Sequence, residues 1–289
     1  MTPAIFEYHR PDSVGEAVAL LGRYGEEARL LAGGHSLIPM MKLRLATPGH
    51  LIDLGGVAAL GGIGEVDGAV QIGAMTTQAQ VVTSDLLAAR FPILRETAEL
   101  IADPQVRNCG TLGGNVANGD PGNDMPAVMM CLGASYVLSG PEGERQVAAK
   151  DFYEGAFATA IREDEVLTGI RIPLAPAGQG QSYHKLKRKV GDYATAAAAV
   201  ALTLDGGTCS QAAVALTNLA MTPLHAEAAG QALVGTPCDG AAIDQAVAAA
   251  VAITDPAADL RGPVDYRKHV AGVMTRRAIQ TALTRAKGG

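Results

Sequence analysis

The sequence predicts an α+β protein built from more than one folding unit. Its 289 residues are 48% apolar and 18% charged, a balance typical of a globular chain with a large buried core. Strand-like runs alternate with helical apolar periods over the first 173 residues, and a hairpin pattern followed by alanine-rich helices fills the rest. Glycine accounts for 35 of the 289 residues, and this excess without a repeat favours loops where the backbone approaches a ligand.

The first predicted unit covers residues 1–60. Ser13 suits an N-cap, residues 14–24 place their apolar side chains on one helical face, and Gly25 follows where a C′ glycine is common. Short strands are expected at 28–31 and 50–54. Between them, residues 37–45 read as a helix with a proline in its first turn, where proline is tolerated.

Two further units are predicted, at 61–176 and 177–289, with the boundary in the Pro- and Gly-rich run 173–180. The second unit combines strands at 70–72, 135–138 and 165–172 with helices at 78–87, 93–102 and 126–133. It also contains a long stretch rich in Gly, Asn and Asp at 110–124. The third unit begins with strands at 198–204 and 212–219 about an Asp-Gly-Gly turn, which is a hairpin signal. Helices are expected near 224–234, 241–254 and 266–286.

Charge and cysteine usage exclude several function classes. The chain carries 23 basic and 29 acidic residues, a net charge of −6, which argues against nucleic-acid binding. It shows no apolar segment of signal-peptide or membrane-spanning length, so a cytoplasmic protein is expected. The four cysteines lack CxxC spacing and the six histidines form no HExxH motif, so no metal site is predicted and the thiols are expected to be reduced and structural.

Two glycine doublets are the strongest candidates for a ligand site. Residues 32–36 read AGGHS between a predicted strand and a predicted helix, and residues 111–115 read TLGGN. Adjacent glycines let backbone amides converge on an anion, and the hydroxyl near each doublet can donate to a phosphate. Two such loops suit a ligand with two phosphates, whereas the alternative is a tight turn that needs glycine only for its dihedrals. Neither loop is a Walker A or a GxGxxG motif.

Asp124 and the segment 183–193 hold the remaining candidates. Asp124 precedes a Met-Pro pair, so its carboxylate either caps the next helix or accepts hydrogen bonds from ribose or ribityl hydroxyls. Four of the residues 185–189 are basic, and they form either a solvated strand edge or place a lysine near phosphates. Tyr193 is one of seven tyrosines in a chain without tryptophan, and it offers a ring for stacking on a cofactor. No catalytic triad or carboxylate pair is apparent.

These motifs resemble a known family. AGGHS at 32–36, TLGGN at 111–115 and VANGDPGNDMPA at 116–127 are similar to the FAD-binding subunits of the molybdenum hydroxylases, the xanthine dehydrogenase group. FEYHRP at 6–11, KLKRKVGDYATAAAA at 185–199 and AGVMTRRAI at 271–279 extend the resemblance over nearly the whole chain, towards the branch whose complexes oxidise carbon monoxide. The resemblance implies an FAD-binding fold of the vanillyl-alcohol-oxidase (PCMH) type: two α/β subdomains, then an antiparallel sheet with helices.

The same resemblance implies an FAD site with noncovalently bound cofactor. Ile101 would pack on the cofactor, Asp124 would bind its hydroxyls, and Leu167 would contact the flavin ring through its backbone. Either Lys185 or Lys187 would lie close by, and Tyr193 would cover one face of the ring. The two loops would hold the pyrophosphate and ribose with Arg29, Leu30, Leu31, Ala32, Gly33, Gly34, His35, Ser36, Thr111, Leu112, Gly113, Gly114 and Asn115. His35 is given no catalytic role.

The implied activity is electron transfer inside a larger oxidoreductase. An iron–sulfur small subunit would carry two [2Fe–2S] clusters, a molybdenum large subunit would hold the molybdenum cofactor, and a dimer of heterotrimers is expected. FAD on this chain would pass electrons to an external acceptor such as a quinone, in the cytoplasm or at the inner face of the membrane. Two alternatives stay open: a related complex acting on an N-heterocycle or aldehyde, and a stand-alone flavoprotein oxidoreductase.

Overall fold

The computed structural model describes residues 2–288, and the chain begins with a parallel three-stranded sheet in the order β1-β3-β2. Its elements are β1 (Glu7–His9), α1 (Val14–Tyr24), β2 (Ala28–Leu31), α2 (Leu37–Lys42) and β3 (His50–Asp53). The predicted caps of α1 are confirmed, because the Ser13 hydroxyl accepts the amide of Glu16 and Gly25 has a φ of 50°. The helix expected over 37–45 ends at Lys42, since Arg44 adopts left-handed backbone with a φ of 61°.

An antiparallel five-stranded sheet in the order β4-β5-β10-β6-β7 follows, with a small β8-β9 pair. The elements of this part are β4 (Ile63–Val66), β5 (Ala69–Gly73), α3 (Gln78–Thr83), α4 (Asp85–Arg90), α5 (Pro92–Leu100), α6 (Pro104–Cys109), α7 (Leu112–Ala117), α8 (Met125–Cys131), β6 (Ser135–Gly140), β7 (Gly143–Ala148), β8 (Tyr153–Gly155), β9 (Ala158–Thr159) and β10 (Val166–Pro173). The short strands β1, β4, β7, β8 and β9 are absent from the sequence prediction.

One prediction for this part is wrong, and one further helix was not predicted. The single helix expected over 78–87 is two helices, because Ser84 is extended and its hydroxyl accepts the amide of Leu87 at 3.3 Å, which starts a new helix. The stretch rich in Gly, Asn and Asp at 110–124 contains α7, a helix that the sequence analysis does not predict. There the Thr111 hydroxyl accepts the amide of Gly114 at 3.0 Å and caps that helix.

The last part is an antiparallel sheet in the order β11-β12-β13-β14, with three helices. Its elements are β11 (Gln179–Leu186), β12 (Ala196–Asp205), β13 (Thr208–Thr217), β14 (Leu224–His225), α9 (Glu227–Leu233), α10 (Gly240–Ala252) and α11 (Val264–Ala286). The predicted hairpin is confirmed, and Gly206 and Gly207 at its turn have φ values of 56° and 87°. The helix expected from 224 starts only at Glu227, because residues 224–225 pair with β13.

Strand β12 is buried on both faces, and its alanine run explains how. Ala197, Ala199 and Ala201 face the core formed with the middle of the chain, whereas Ala196 and Ala198 face the core shared with the C-terminal helices. Alternating side chains point to opposite faces, so small residues on both sides let helices pack closely on each. The α+β architecture is confirmed, while the boundaries near 60 and 176 stay a prediction.

All four cysteines are free thiols; Cys109 is exposed and the others are buried. Burial raises the pKa of Cys209 to about 12, so this thiol stays protonated. Among residues 2–288, no helix combines the length and apolar character that crossing a bilayer needs.

Candidate cofactor-binding site

A single large cleft collects most of the predicted site residues. Its volume of about 1050 Å³ is at the upper end of the range for ligand sites. The predicted residues that line it are Arg29, Leu30, Ala32, Gly33, Gly34, His35, Ser36, Ile101, Thr111, Gly113, Gly114, Asn115, Asp124, Leu167, Lys185 and Tyr193. The fold therefore brings together residues from all three sheet regions, across more than 150 positions of the sequence.

The first glycine loop presents unused backbone donors to this cleft. Within residues 2–288, the amides of Gly33, Gly34, His35 and Ser36 donate no hydrogen bond to the protein. Gly34 has a left-handed φ of 74°, and successive amides in such a turn form a concavity suited to an anion. A Cβ on Gly33 would lie 2.3 Å from the carbonyl oxygen of Cys109, so close packing of two backbone segments, rather than the dihedral alone, requires this glycine.

The second glycine loop works differently, although its sequence looks alike. The amides of Leu112 and Gly113 donate to the carbonyls of Thr76 and Ala74, at 2.8 and 2.9 Å. The amide of Gly114 donates to the Thr111 hydroxyl at 3.0 Å. The amide donors of this doublet are therefore already hydrogen-bonded within the protein. The interpretation of both doublets as amide nests for phosphates is wrong for this second loop.

Two buried acceptors in the cleft have no partner in the described chain. They are Asn115 Oδ1 and Gln78 Oε1. A buried polar atom without a hydrogen bond costs about 1–3 kcal/mol, so native proteins rarely retain one without a reason. Free amide donors and orphaned acceptors in one cleft are the complement of a ligand that both accepts and donates, as phosphates and hydroxyls do.

Asp124 and Lys185 form a buried ion pair at the cleft wall. Lys185 Nζ lies 2.7 Å from Asp124 Oδ2, and the side chains are 1% and 6% exposed. The Tyr183 hydroxyl donates to Asp124 Oδ1 at 2.6 Å, and burial followed by the Asp124 charge raises the pKa of Tyr183 well above its usual range. Asp124 makes no capping bond to α8, so the capping interpretation is wrong, as is the solvated-edge interpretation for Lys185.

Three predicted residues do not line the cleft. The Leu112 side chain is fully buried in the core, and Leu31 is partly buried at the end of β2. Lys187 Nζ donates to the carbonyl of Leu100 at 2.9 Å, and burial, then the Lys185 charge, lowers the pKa of Lys187. Of the two lysines left open by the sequence, Lys185 is the one at the cleft.

Tyr193 is 42% exposed and lines the cleft. The Arg261 guanidinium sits 5.6 Å from its ring centroid, within cation–π range. A Cβ on Gly122 would lie 2.6 Å from Tyr193 Cδ1, so this glycine lets the ring approach the 118–124 loop. Leu167 also lines the cleft, and a β-bulge between Leu167 and Gly169 interrupts the ladder there.

Sequence reasoning missed several cleft residues. Gln78 looked like the first residue of an ordinary helix, and Asn123 gave no signal beyond loop composition; its Nδ2 donates to the carbonyl of Asn115 at 2.7 Å. Glu165 is 5% exposed and forms a bidentate pair with Arg145, at 2.6 and 2.7 Å. That guanidinium, against the effect of burial, lowers the pKa of Glu165 and keeps the cleft wall charge-balanced.

Comparison with known proteins defines the class. Residues 4–175 match the family described as "FAD binding domain in molybdopterin dehydrogenase", and residues 181–282 match "CO dehydrogenase flavoprotein C-terminal domain". The chain therefore belongs to the FAD-binding family of molybdopterin dehydrogenases. This confirms the resemblance, the expected FAD-binding fold and FAD as the cofactor. It also confirms the prediction of an oxidoreductase component.

Individual relatives narrow the comparison. The chain is 63% identical to the carbon monoxide dehydrogenase medium chain of Afipia carboxidovorans, over 99% of this chain and 100% of the relative. It is 50% identical to the carbon monoxide dehydrogenase medium chain of Hydrogenophaga pseudoflava, over 99% of both. A chain in the crystal structure of a Cu,Mo-CO dehydrogenase superposes with a TM-score of 0.97 and 62% identity, covering 99% of this chain and 100% of that one.

Proposed function

We propose that this chain is the flavoprotein subunit of a molybdenum hydroxylase that oxidises carbon monoxide. In that complex it takes electrons from [2Fe–2S] clusters of a small subunit and delivers them to an external acceptor such as a quinone. The observation that carries the proposal is the full-length likeness to carbon monoxide dehydrogenase medium chains, joined to a cleft whose free donors and acceptors suit FAD. A heterohexameric assembly and a cytoplasmic location belong to the same proposal.

The chain's part is to bind and orient the cofactor. The free amides at 33–36 would hold the pyrophosphate, while Asn115 Oδ1 and Gln78 Oε1 would accept hydrogen bonds. Asp124, oriented by Lys185, would accept from a ribose or ribityl hydroxyl with lone pairs that its two present partners leave free. Bound FAD would supply the redox chemistry, so no side chain of the cleft needs to act as an acid or a base.

The orphaned acceptor gives a sharp test of the site. Asn115→Ala removes a buried atom that lacks a partner without FAD, so the flavin-free chain should be as stable as the wild type or more stable. FAD affinity should fall by about tenfold, the equivalent of one hydrogen bond of roughly 1.4 kcal/mol. The two measurements are chemical denaturation of the deflavinated chain and FAD titration by fluorescence quenching.

Asn218→Ala is the matched control. Its Nδ2 donates to the carbonyl of Ala194 at 2.6 Å and it lies outside the cleft lining, so its removal should lower stability and leave FAD affinity unchanged. Unchanged FAD affinity in Asn115→Ala would show that this acceptor does not face the cofactor.

Noncovalent attachment is tested by acid precipitation of the flavin-loaded protein. The flavin should appear entirely in the supernatant. Flavin that stays with the pellet would indicate a covalent bond and contradict this part of the proposal.

Dependence on partners is tested with the assembled complex and the isolated chain. Carbon monoxide should bleach the flavin absorbance only after the iron–sulfur and molybdenum subunits are added, because the proposal places substrate oxidation on the molybdenum subunit. Bleaching of the complex by an N-heterocycle or aldehyde, but not by carbon monoxide, would assign it to another branch of the family. Bleaching of the isolated chain by a substrate would indicate a stand-alone oxidoreductase.

A further inference from the structure

Metal-ligating side chains cluster outside the cleft, on the parallel pair β1 and β3. Glu7 and His9 are alternate residues of β1 and share one face, and Glu7 lies in register with His50 of β3. One carboxylate and two imidazoles are thus brought together, although His9 and His50 are 41 positions apart. Sequence spacing alone gave no hint of this group.

The donor atoms already have ligand-to-ligand spacing. His9 Nε2 lies 3.0 Å from His50 Nδ1, and Glu7 Oε2 lies 3.6 Å from the same His50 Nδ1. All three donors lie within 4.8 Å of one another. Two ligands of a tetrahedral Zn²⁺ with metal–nitrogen bonds of about 2.0–2.1 Å are roughly 3.3–3.4 Å apart, so only small side-chain shifts would seat an ion.

Neighbouring groups hold the imidazoles in place. The Tyr24 ring stacks on His50 with centroids 3.6 Å apart and planes 13° apart, and on His9 at 5.0 Å. His50 Nε2, the nitrogen turned away from the cluster, lies 4.0 Å from Glu27 Oε2. At 4.0 Å the two groups are not hydrogen-bonded, but a small shift of the Glu27 side chain would let it accept from this nitrogen, which is a recurrent outer-shell arrangement for a ligating histidine.

We propose that Glu7, His9 and His50 bind one divalent transition-metal ion, with Zn²⁺ as the representative case, and that this ion ties β1 to β3. Two imidazoles and a carboxylate are ligands that suit Zn²⁺, Ni²⁺ or Cu²⁺. Ca²⁺ and Mg²⁺ are disfavoured here, because they prefer oxygen ligands only. A plain imidazole–imidazole hydrogen bond explains the His9–His50 contact but leaves Glu7 Oε2 beyond hydrogen-bond distance. Glu7 is 73% exposed in its side chain, which gives the ion a path from solvent.

The site is tested on the full chain after dialysis against a chelator, by calorimetric titration with Zn²⁺ alone. One ion per chain is expected. His9→Gln and Glu7→Gln should each weaken binding by more than the ~10–100-fold that outer-shell partners contribute, and Glu27→Gln should fall within that range. His269→Gln, which removes an exposed histidine on α11, is the control and should bind as the wild type does.

Cu²⁺ binding provides a second, spectroscopic test of the ligands. Its electron paramagnetic resonance spectrum should show two coupled nitrogens in the wild type and one in His9→Gln. Flavin content is measured on every variant, so loss of the metal with FAD retained separates this proposal from the flavin site. Glu7→Gln changes an exposed side chain and keeps the fold testable. Absence of stoichiometric binding, or equal Zn²⁺ affinity in wild type, His9→Gln and Glu7→Gln, would overturn the proposal.

Discussion

Replacing Lys185 with methionine tests how much the buried ion pair in the cleft contributes to the stability of the fold. Methionine keeps the length and apolar stem of lysine but removes the ammonium that lies 2.7 Å from Asp124 Oδ2. The carboxylate, 6% exposed, would then keep only the Tyr183 hydroxyl as a partner. A buried charge without its counter-ion is strongly unfavourable, so the folded state must either bear that cost or take up a proton.

Removal of one partner of a buried pair typically costs about 3–5 kcal/mol. For a chain of this size, that loss corresponds to a fall of roughly 6–20 °C in the thermal midpoint. The double variant Asp124→Asn/Lys185→Met removes both charges and should recover most of the lost stability, since uncharged replacements of buried pairs are often nearly neutral. FAD affinity should stay low in both variants, because both change the cleft wall.

The assay is urea denaturation of the flavin-free chain, repeated with FAD present. Lys150→Met is the control: this lysine is 58% exposed in its side chain, and the change should stay within about 0.5 kcal/mol of the wild type. A loss below about 1 kcal/mol in Lys185→Met, or a double variant less stable than Lys185→Met, would refute the reasoning.

Three further outcomes are expected. Gly33→Ala should lower the free energy of unfolding by about 1–3 kcal/mol because its Cβ would meet the Cys109 carbonyl, whereas Gly22→Ala, with open space on α1, should raise it by about 0.5–1 kcal/mol. Tyr193→Ala should change flavin reduction or reoxidation rates of the complex in stopped-flow traces while stability stays within about 1 kcal/mol. The depressed pKa of Glu165 contributes stability that is complete above its unfolded pKa of about 4.3 and is lost as pH falls through its lower folded pKa. The stability difference between wild type and Glu165→Gln, measured by denaturation across pH, should therefore shrink below about pH 4.3.

Local signals predicted much of the secondary structure. The caps of α1, the strand β2, and the turn between β12 and β13 each depend on residues within a few positions of one another. The break between α3 and α4 was not predicted. A serine inside an apolar helical period interrupts the helix only if its hydroxyl accepts a hydrogen bond from a nearby backbone amide, and the sequence does not show whether it does. The glycine loops, Asp124 and Tyr193 were candidates from the residues themselves, and the family resemblance added Ile101 and Leu167. Their interactions could not be predicted, because residues in contact can lie far apart in the sequence: Asp124 and Lys185 are 61 positions apart.

The two glycine doublets show why a motif alone does not define a binding loop. A glycine pair in a sequence reports that something approaches the backbone closely, but not what approaches it. At 33–34 the amides stay free and face the cleft, whereas a Cβ at Gly113 would lie 2.5 Å from the Ala74 carbonyl oxygen, and that oxygen already accepts the Gly113 amide. The amides of the first pair are therefore available to an anion. The second pair instead lies in α7, whose first turn is hydrogen-bonded to residues 74 and 76, just after β5. The second loop leaves the Asn115 Oδ1 acceptor without a partner, so we expect any recognition there to depend on this amide group and not on glycine.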